Sequence, residues 1–291
     1  MSANLTIPGG VPERAALPEP AGRVRPRPTP AVVARALAVQ CRVLNALVLR
    51  ETKTRYGNYK IGFLWALIEP AVSVSVFVAI FANLRQDSPG GMPLVPFMLV
   101  GFCAFAIFKD PWQQMQGAIG QSRQLLTFPQ VTTFDVILAR GLLEIAVSVF
   151  VFWFLLYVAW LLGFEVRVER PLGVLAVIGL MSVFGLGMGF IFASLEPIVP
   201  SAKQLSGQVF GRPLYFGSGL FFNAESLPPQ ALDFLIYNPV LHLIELARSA
   251  FFHGFESGVA SWFYAASWSF GTFGVGLLVH QAMRRRALMS R

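Results

Sequence analysis

The chain has 291 residues, of which 55% are hydrophobic and only 13% charged, and its formal net charge is +8. Together with a mean hydropathy of +0.60, this composition excludes a soluble domain, because several apolar runs approach the roughly 20 residues that cross a hydrocarbon core as helix. The positive balance does not point to nucleic acid: the basic residues cluster at the ends of the apolar runs, where anionic lipid and membrane topology account for them.

Residues 1–30 contain Pro8, Pro12, Pro18, Pro20, Pro26, Pro28 and Pro30 with Arg14, Arg23, Arg25 and Arg27. Such a segment has little to bury and is expected to be a disordered Pro/Arg-rich cytoplasmic tail. It lacks the apolar stretch of a secretory signal. Residues 31–60 are expected to form an amphipathic interfacial helix. At 100° per residue, Val33, Leu37, Leu44, Leu47 and Val48 gather on one side, with Arg35, Arg42 and Lys53 roughly opposite. The charges are expected to keep this helix in the membrane interface instead of across it; docking on a partner protein is the alternative.

Seven apolar segments follow, at about 61–84, 94–109, 136–163, 172–195, 205–222, 237–252 and 259–283. Arg35, Arg42, Arg50, Lys53, Arg55 and Lys60 precede them, and Arg284, Arg285, Arg286 and Arg291 follow, so both termini are expected in the cytoplasm. That requires an even number of crossings. Segment 237–252 is short, and His242, Glu245 and Arg248 within it are costly against lipid. Between Pro228-Pro229 and Gly254 it reads as a re-entrant or interfacial helix on the outer side, tolerated where protein or a water-filled cavity shields it. The expected fold is therefore all-α and polytopic: six transmembrane helices over 61–283, a re-entrant helical element before the last span, and a basic cytoplasmic tail at 284–291. The second span either stops before Lys109 or runs on to Trp112.

No phosphate-binding loop, nucleophile elbow or metal-binding histidine pair occurs, and Cys41 and Cys103 are expected as small buried hydrophobes without a disulfide. This chain is therefore expected to hold no cofactor or metal of its own and to transport instead of catalyse. Glu69-Pro70 lies roughly 12 Å into the first span, where a glutamate needs a partner or a cavity. It either marks the cytoplasmic entrance of a pathway or pairs with an arginine such as Arg140. His242, Glu245 and Arg248 share one helix side at i, i+3 spacing, either as a self-satisfying cluster or as a contact for an anionic glycan or headgroup. The polar stretch 110–135 is a linker or a short helix presented to a cytoplasmic partner. Tyr215, Phe216, Phe221 and Phe222, beside Gly217 and Gly219, are candidates to line a passage, although packing against lipid or core is the ordinary role of such residues.

The run Leu49-Arg50-Glu51-Thr52-Lys53-Thr54-Arg55-Tyr56-Gly57, followed by Leu64-Trp65-Ala66-Leu67-Ile68-Glu69-Pro70, resembles the start of permeases in type-2 ABC exporters of capsular polysaccharide, the KpsM-type proteins. The resemblance recurs from Phe134-Asp135 to Ala139-Arg140-Gly141-Leu142-Leu143-Glu144, at Arg212-Pro213-Leu214-Tyr215-Phe216-Gly217-Ser218-Gly219, and from Asn238-Pro239 to Leu246-Ala247-Arg248. It covers about 31–283 in order. It implies a homodimer in the bacterial inner membrane, paired with two ATPase subunits that bind the ATP and magnesium. It also implies periplasmic and outer-membrane export components, and a lipid-linked polysaccharide as cargo. Trp65, Glu69, Tyr215, Phe216, Phe221 and Phe222 are then pathway candidates, and Arg50, Lys53, Arg55, Gln121 and Arg123 are candidates for coupling to the ATPase. Export of lipid-linked O-antigen or teichoic acid shares the architecture. A membrane-embedded enzyme acting on a polyprenyl-linked sugar, which needs clustered acids, and an ion-coupled carrier, which predicts an internal repeat, are the readings from other classes.

Overall fold

The structure is a computed structural model that describes residues 30–56, 64, 68, 71–80, 92–199 and 201–289, the side chains of 33, 37, 56 and 285–289 apart. The expected tail at 1–30, all but its last residue, lies outside the described residues, as do Trp65 and Glu69. The chain divides into a unit ending at Val39 and a larger one from Gln40 to Arg291. In the smaller unit the described residues open helix α1 (Pro30–Tyr56), and Val32 and Val39 there are exposed.

The remaining helices are α2 (Ala71–Ile80), α3 (Leu94–Met115), α4 (Ala118–Gln121), α5 (Thr133–Leu161), α6 (Pro171–Leu195), α7 (Ala202–Leu205), α8 (Arg212–Gly217), α9 (Pro229–Leu235), α10 (Pro239–Phe251) and α11 (Trp262–Met289). No strand occurs among the described residues. Among the described residues, four helices are long and apolar enough to cross a membrane: Pro30–Arg55, Leu94–Met115, Thr133–Leu161 and Pro171–Leu195. Helix α1 is counted here on length and composition alone. Between 31 and 49 it carries only Arg35 and Arg42, and the other charges crowd its last two turns.

Three boundaries depart from the sequence reading. Helix α3 continues through Lys109 and Pro111 to Met115, so the second apolar segment ends well past Lys109. The segment expected as a span at 205–222 is α7, a π-helical turn at Ser206–Gly211 and α8. This helical run stops at Gly217, short of the roughly 20 residues a perpendicular span needs. The stop is enforced at Gly219, whose φ of 75° disfavours a side chain and where a Cβ would meet Leu241 Cδ1 at 2.8 Å. Helix α11 is long enough to span, but Ser267, Ser269, Thr272, His280 and Gln281 dilute its apolar run, and it is not among the four.

The core is built from α3, α5, α6, α10 and α11. Glycines let the backbones approach: a Cβ at Gly185 would meet the Phe108 carbonyl at 2.4 Å, and one at Gly187 the Phe273 amide nitrogen at 2.6 Å. Close backbone approach of this kind stabilises packing between membrane helices, where lipid supplies no hydrophobic drive for association. Phe108 and Phe184 stack across the α3–α6 contact at 4.7 Å. Helix α10 is buried on nearly all sides. Its start is set by Asn238, whose side chain accepts from the Val240 amide at 3.0 Å, and by Pro239 in the first helical turn.

From Leu44 to Val48, the apolar side of α1 docks on this chain. Leu47 is buried with Met115, Ile119, Val136 and Ile137, and Leu44 and Val48 pack alongside. That surface therefore needs no partner protein to cover it.

Gly187→Ala should lower the melting temperature of the detergent-solubilised protein, overpacking of this kind costing about 1–3 kcal/mol. Gly179→Ala on the same helix, where a Cβ meets nothing within 4 Å, should not. Equal melting temperatures for the two would rule out the close α6–α11 approach.

Candidate functional site

On α3, Phe102, Phe105, Ala106, Lys109, Asp110 and Gln113 recur every three or four residues and so form one stripe. This stripe faces a cavity of about 220 Å³ completed by Arg55 of α1, Ser73 of α2, Glu144 and Ser148 of α5, and Tyr215 of α8. Residues on five helices thus converge on a polar space inside an otherwise apolar bundle.

One side of the cavity is aromatic. Phe102 stacks with Phe77 at 5.1 Å and meets Phe221 edge-on at 5.5 Å, while Tyr215 lies 5.6 Å from Phe105 and 5.7 Å from Phe221. Phe216 extends the cluster, at 5.3 Å from Tyr215. Of the pathway candidates, Tyr215, Phe216 and Phe221 come together here. Phe222 instead contributes its backbone carbonyl to Arg248. Phe77, Phe102 and Phe105 were missed from sequence, because in a span an aromatic stripe looks the same whether it faces lipid, core or a cavity. The run of Lys109, Asp110 and Gln113 on the same side was the available signal.

The other side is ionic. Asp110 accepts from Ser148 Oγ at 3.2 Å and lies 3.5 Å from Lys109. Arg55 pairs with Glu144, and one turn earlier on both helices Glu51 pairs with Arg140 at 2.7 Å. These two rungs carry opposite charge order, acid-to-base and base-to-acid, so a one-turn slip of α1 along α5 would oppose like charges. Arg140, the suggested partner for Glu69, is thus held by Glu51. Arg50, Lys53, Arg55, Gln121 and Arg123 are all exposed, and Arg55 in addition reaches Glu144 on α5.

A second cavity, of about 310 Å³, lies beside the first and is lined by Arg50, Glu51, Thr54, Arg55, Gln114, Gln121, Ser122 and Arg140. Its α4 side belongs to the polar connection 116–132, which is tied down at two points. Glu196 accepts from the Gly117 amide, and Ser206 Oγ donates to Gln116 Oε1 at 2.9 Å. Gly117 has φ 77°, the left-handed conformation that lets the chain leave α3 sharply.

On α10, Arg248 is fully buried. It donates to the Phe222 carbonyl at 3.0 Å, the Leu220 carbonyl at 3.3 Å and Glu245 Oε1 at 3.3 Å, with its guanidinium 3.6 Å from the Phe97 ring centroid. Gly101 makes room, since a Cβ there would meet Arg248 Nη2 at 2.9 Å. His242 stands apart from this pair. Its Nε2 lies 2.7 Å from the Ile236 carbonyl and its Nδ1 accepts from the Ser261 amide at 3.1 Å. With all three groups buried and bonded inward, their geometry is that of a bracing element. Of the cysteines, Cys103 is buried but Cys41 is exposed on α1, against expectation.

Arg248→Leu should destabilise the solubilised protein by about 3–5 kcal/mol, the usual result of leaving a buried carboxylate without its cation. Adding Glu245→Leu should recover only part, since the carbonyls of Leu220 and Phe222 stay unsatisfied. A single variant as stable as the parent in a thermal or denaturant melt would contradict the bracing geometry.

The sequence profile of the family described as ABC-2 type transporter matches residues 42–252. The chain is 30% identical over 252 residues to the polysialic acid transport protein KpsM of Escherichia coli, covering 87% of this chain and 97% of that protein. It is 30% identical over 228 residues to the capsule polysaccharide export inner-membrane protein CtrC of Neisseria meningitidis serogroup B, covering 75% of this chain and 82% of that one. It is 29% identical over 220 residues to the capsule polysaccharide export inner-membrane protein BexB of Haemophilus influenzae, with the same coverage of both chains. The profile match, the near full-length similarity and the apolar helices together make this chain a member of the ABC-2 type transporter family.

Proposed function

We propose that this chain is the membrane-spanning subunit of an ATP-driven exporter that carries a lipid-linked capsular polysaccharide across the inner membrane. The observation that carries this reading is the cavity beside α3, which sets aromatic faces against hydroxyl, carboxamide and charged groups within a family of transporters. A sugar presents the complementary surfaces: apolar C–H faces that stack on rings, and hydroxyls that exchange hydrogen bonds with groups such as Asp110, Gln113 and Ser148. Several weak contacts of this kind suit a cargo that must move on and not be held.

In this reading six spans cross the membrane with both termini in the cytoplasm: the segment that holds α2, then α3, α5, α6, the bent run from α7 to α8, and α11, with α1 in the interface and α9 and α10 as the re-entrant element before the last span. Two copies assemble as a homodimer, because six helices make a thin wall for a glycan channel. Each copy engages one ATPase subunit, which binds ATP and magnesium. The exposed Arg50, Lys53, Gln121 and Arg123 form the surface that the ATPase meets. The ties from Glu196 and Ser206 to the 116–132 connection then pass a push on that surface to α6 and the π-helical turn. Periplasmic and outer-membrane components complete the route, and Trp65 and Glu69 belong to its cytoplasmic mouth.

The experiment that tests this is purification of the chain from its native membrane in mild detergent. It should bring down an ATPase bearing a Walker phosphate loop, and Arg123→Glu should weaken that recovery without unfolding the membrane part. Recovery of this chain alone across several detergents would favour a carrier or an enzyme. With the complex in hand, Tyr215→Ala should reduce export of capsular glycan in cells while Tyr215→Phe retains most of it. Export unchanged in Tyr215→Ala at normal protein level would remove the aromatic cluster from the pathway.

A further inference from the structure

The two cavities around α1 are neighbours with a common wall. Arg55 and Gln114 line both the cavity beside α3 and the one between α1, α4 and α5. The first reaches the aromatic cluster. The second is lined by Arg50, Thr54, Gln121 and Ser122, which belong to the segments placed in the cytoplasm by their basic residues. Arg55 and Gln114 stand at the boundary that the two cavities share.

Arg55 is held across that boundary by Glu144, whose side chain is only 4% exposed. On α5, Glu144 stands about 16 Å of helical rise beyond Thr133, so a carboxylate there without its cation is costly. The Glu51–Arg140 rung one turn away fixes α1 against α5, so that Arg55 alone can swing without the helix moving. On the inner side, Lys109 lies on the cavity wall as a second cation.

We propose that Arg55 and Glu144 form an ion-pair gate between the two cavities, opened when an anionic group of the cargo takes the place of Glu144 on Arg55. The anion is a carboxylate or phosphate oxygen, borne by an acidic sugar or by a lipid anchor, and guanidinium binds either in bidentate fashion. Once past Arg55 it meets Lys109, and Arg55 returns to Glu144 behind it. A neutral cargo offers nothing to exchange and leaves the gate shut. The choice of cargo rests on the exporter reading above; the barrier at Arg55 does not.

The test uses the complete complex in inside-out membrane vesicles, with Cys41→Ser and Cys103→Ser to remove native thiols and Ala106→Cys as a reporter on the inner cavity. A membrane-impermeant thiosulfonate is added from the cytoplasmic side. Glu144→Gln and Arg55→Gln should each raise the labelling rate at position 106 severalfold. The reversed pair, Arg55→Glu with Glu144→Arg, should restore slow labelling, which a variant that merely misfolds does not do. Rates unchanged by both single variants, or a reversed pair that labels as fast as they do, would overturn the gate.

With the ion pair intact, a short oligomer of sialic acid or a lysophosphatidylglycerol should speed labelling, and a neutral maltooligosaccharide should not. A response to the first alone assigns the carboxylate, and to the second alone the phosphate. A response to neither, or one to maltooligosaccharide as well, would overturn opening by anions. If the gate behaves as stated but no ATPase accompanies the chain, the exporter reading falls and the barrier at Arg55 stands.

Discussion

Arg248 reaches out of α10 to hold the carbonyls of Leu220 and Phe222, in a stretch where the chain has left α8 and has no helical hydrogen bonds to offer. Inside a membrane protein such carbonyls must be satisfied by the protein itself. A neutral donor would satisfy one of them; a guanidinium satisfies both and still pairs with Glu245. The cavity beside α3 depends on this brace. With the turn pinned, Phe221 is held against Phe77 at 4.8 Å and Tyr215 against Phe105. Of those rings, Tyr215 and Phe105 line the cavity with Phe102, and Phe77 and Phe221 pack behind them.

The brace also explains why a charged helix is the most deeply buried element. Helix α10 packs against α3, α6 and α11, and each charge on it is answered locally: Glu245 by Arg248, and Arg248 by carbonyls and the Phe97 ring. The result is a helix whose charges are met inside the protein. Around α1 and the 116–132 connection the ties are the ion pairs Glu51–Arg140 and Arg55–Glu144 and the hydrogen bonds of Gln40 to Asp135 and of the Gly117 amide to Glu196. A transporter needs one part that keeps its shape while another moves, and ion pairs near water exchange partners more readily than interlocked glycines do.

Much of the fold was legible from hydropathy alone. The apolar runs at 136–163 and 172–195 became α5 and α6 with ends shifted by only a few residues, because long apolar helices leave their backbone no alternative in lipid. The run at 205–222 misled, since composition registers apolar residues but not the bends imposed by Gly217, Gly219 and Pro213. For α3, the apolar pattern left the end open between Lys109 and Trp112, and the helix runs on to Met115. The candidate site was legible only in part. Tyr215, Phe216 and Phe221 were singled out by the glycines near them, whereas Phe77, Phe102 and Phe105 sit in apolar runs where an aromatic ring reads the same facing lipid, core or cavity.

By itself the sequence determined a helical membrane protein, the positions of its main apolar helices, the outlying character of the α10 segment and the family resemblance. These rest on composition, periodicity and motif order, which are properties of the chain read in one dimension. The tertiary structure decided which charge meets which: that Arg140 belongs to Glu51 and Arg55 to Glu144, that Arg248 serves carbonyls as well as Glu245, and that His242 stands outside the pair. Partner choice between residues about 90 positions apart depends on how helices approach, and at the α3–α6 and α6–α11 contacts that approach is allowed by Gly185 and Gly187, whose missing side chains leave no trace in hydropathy.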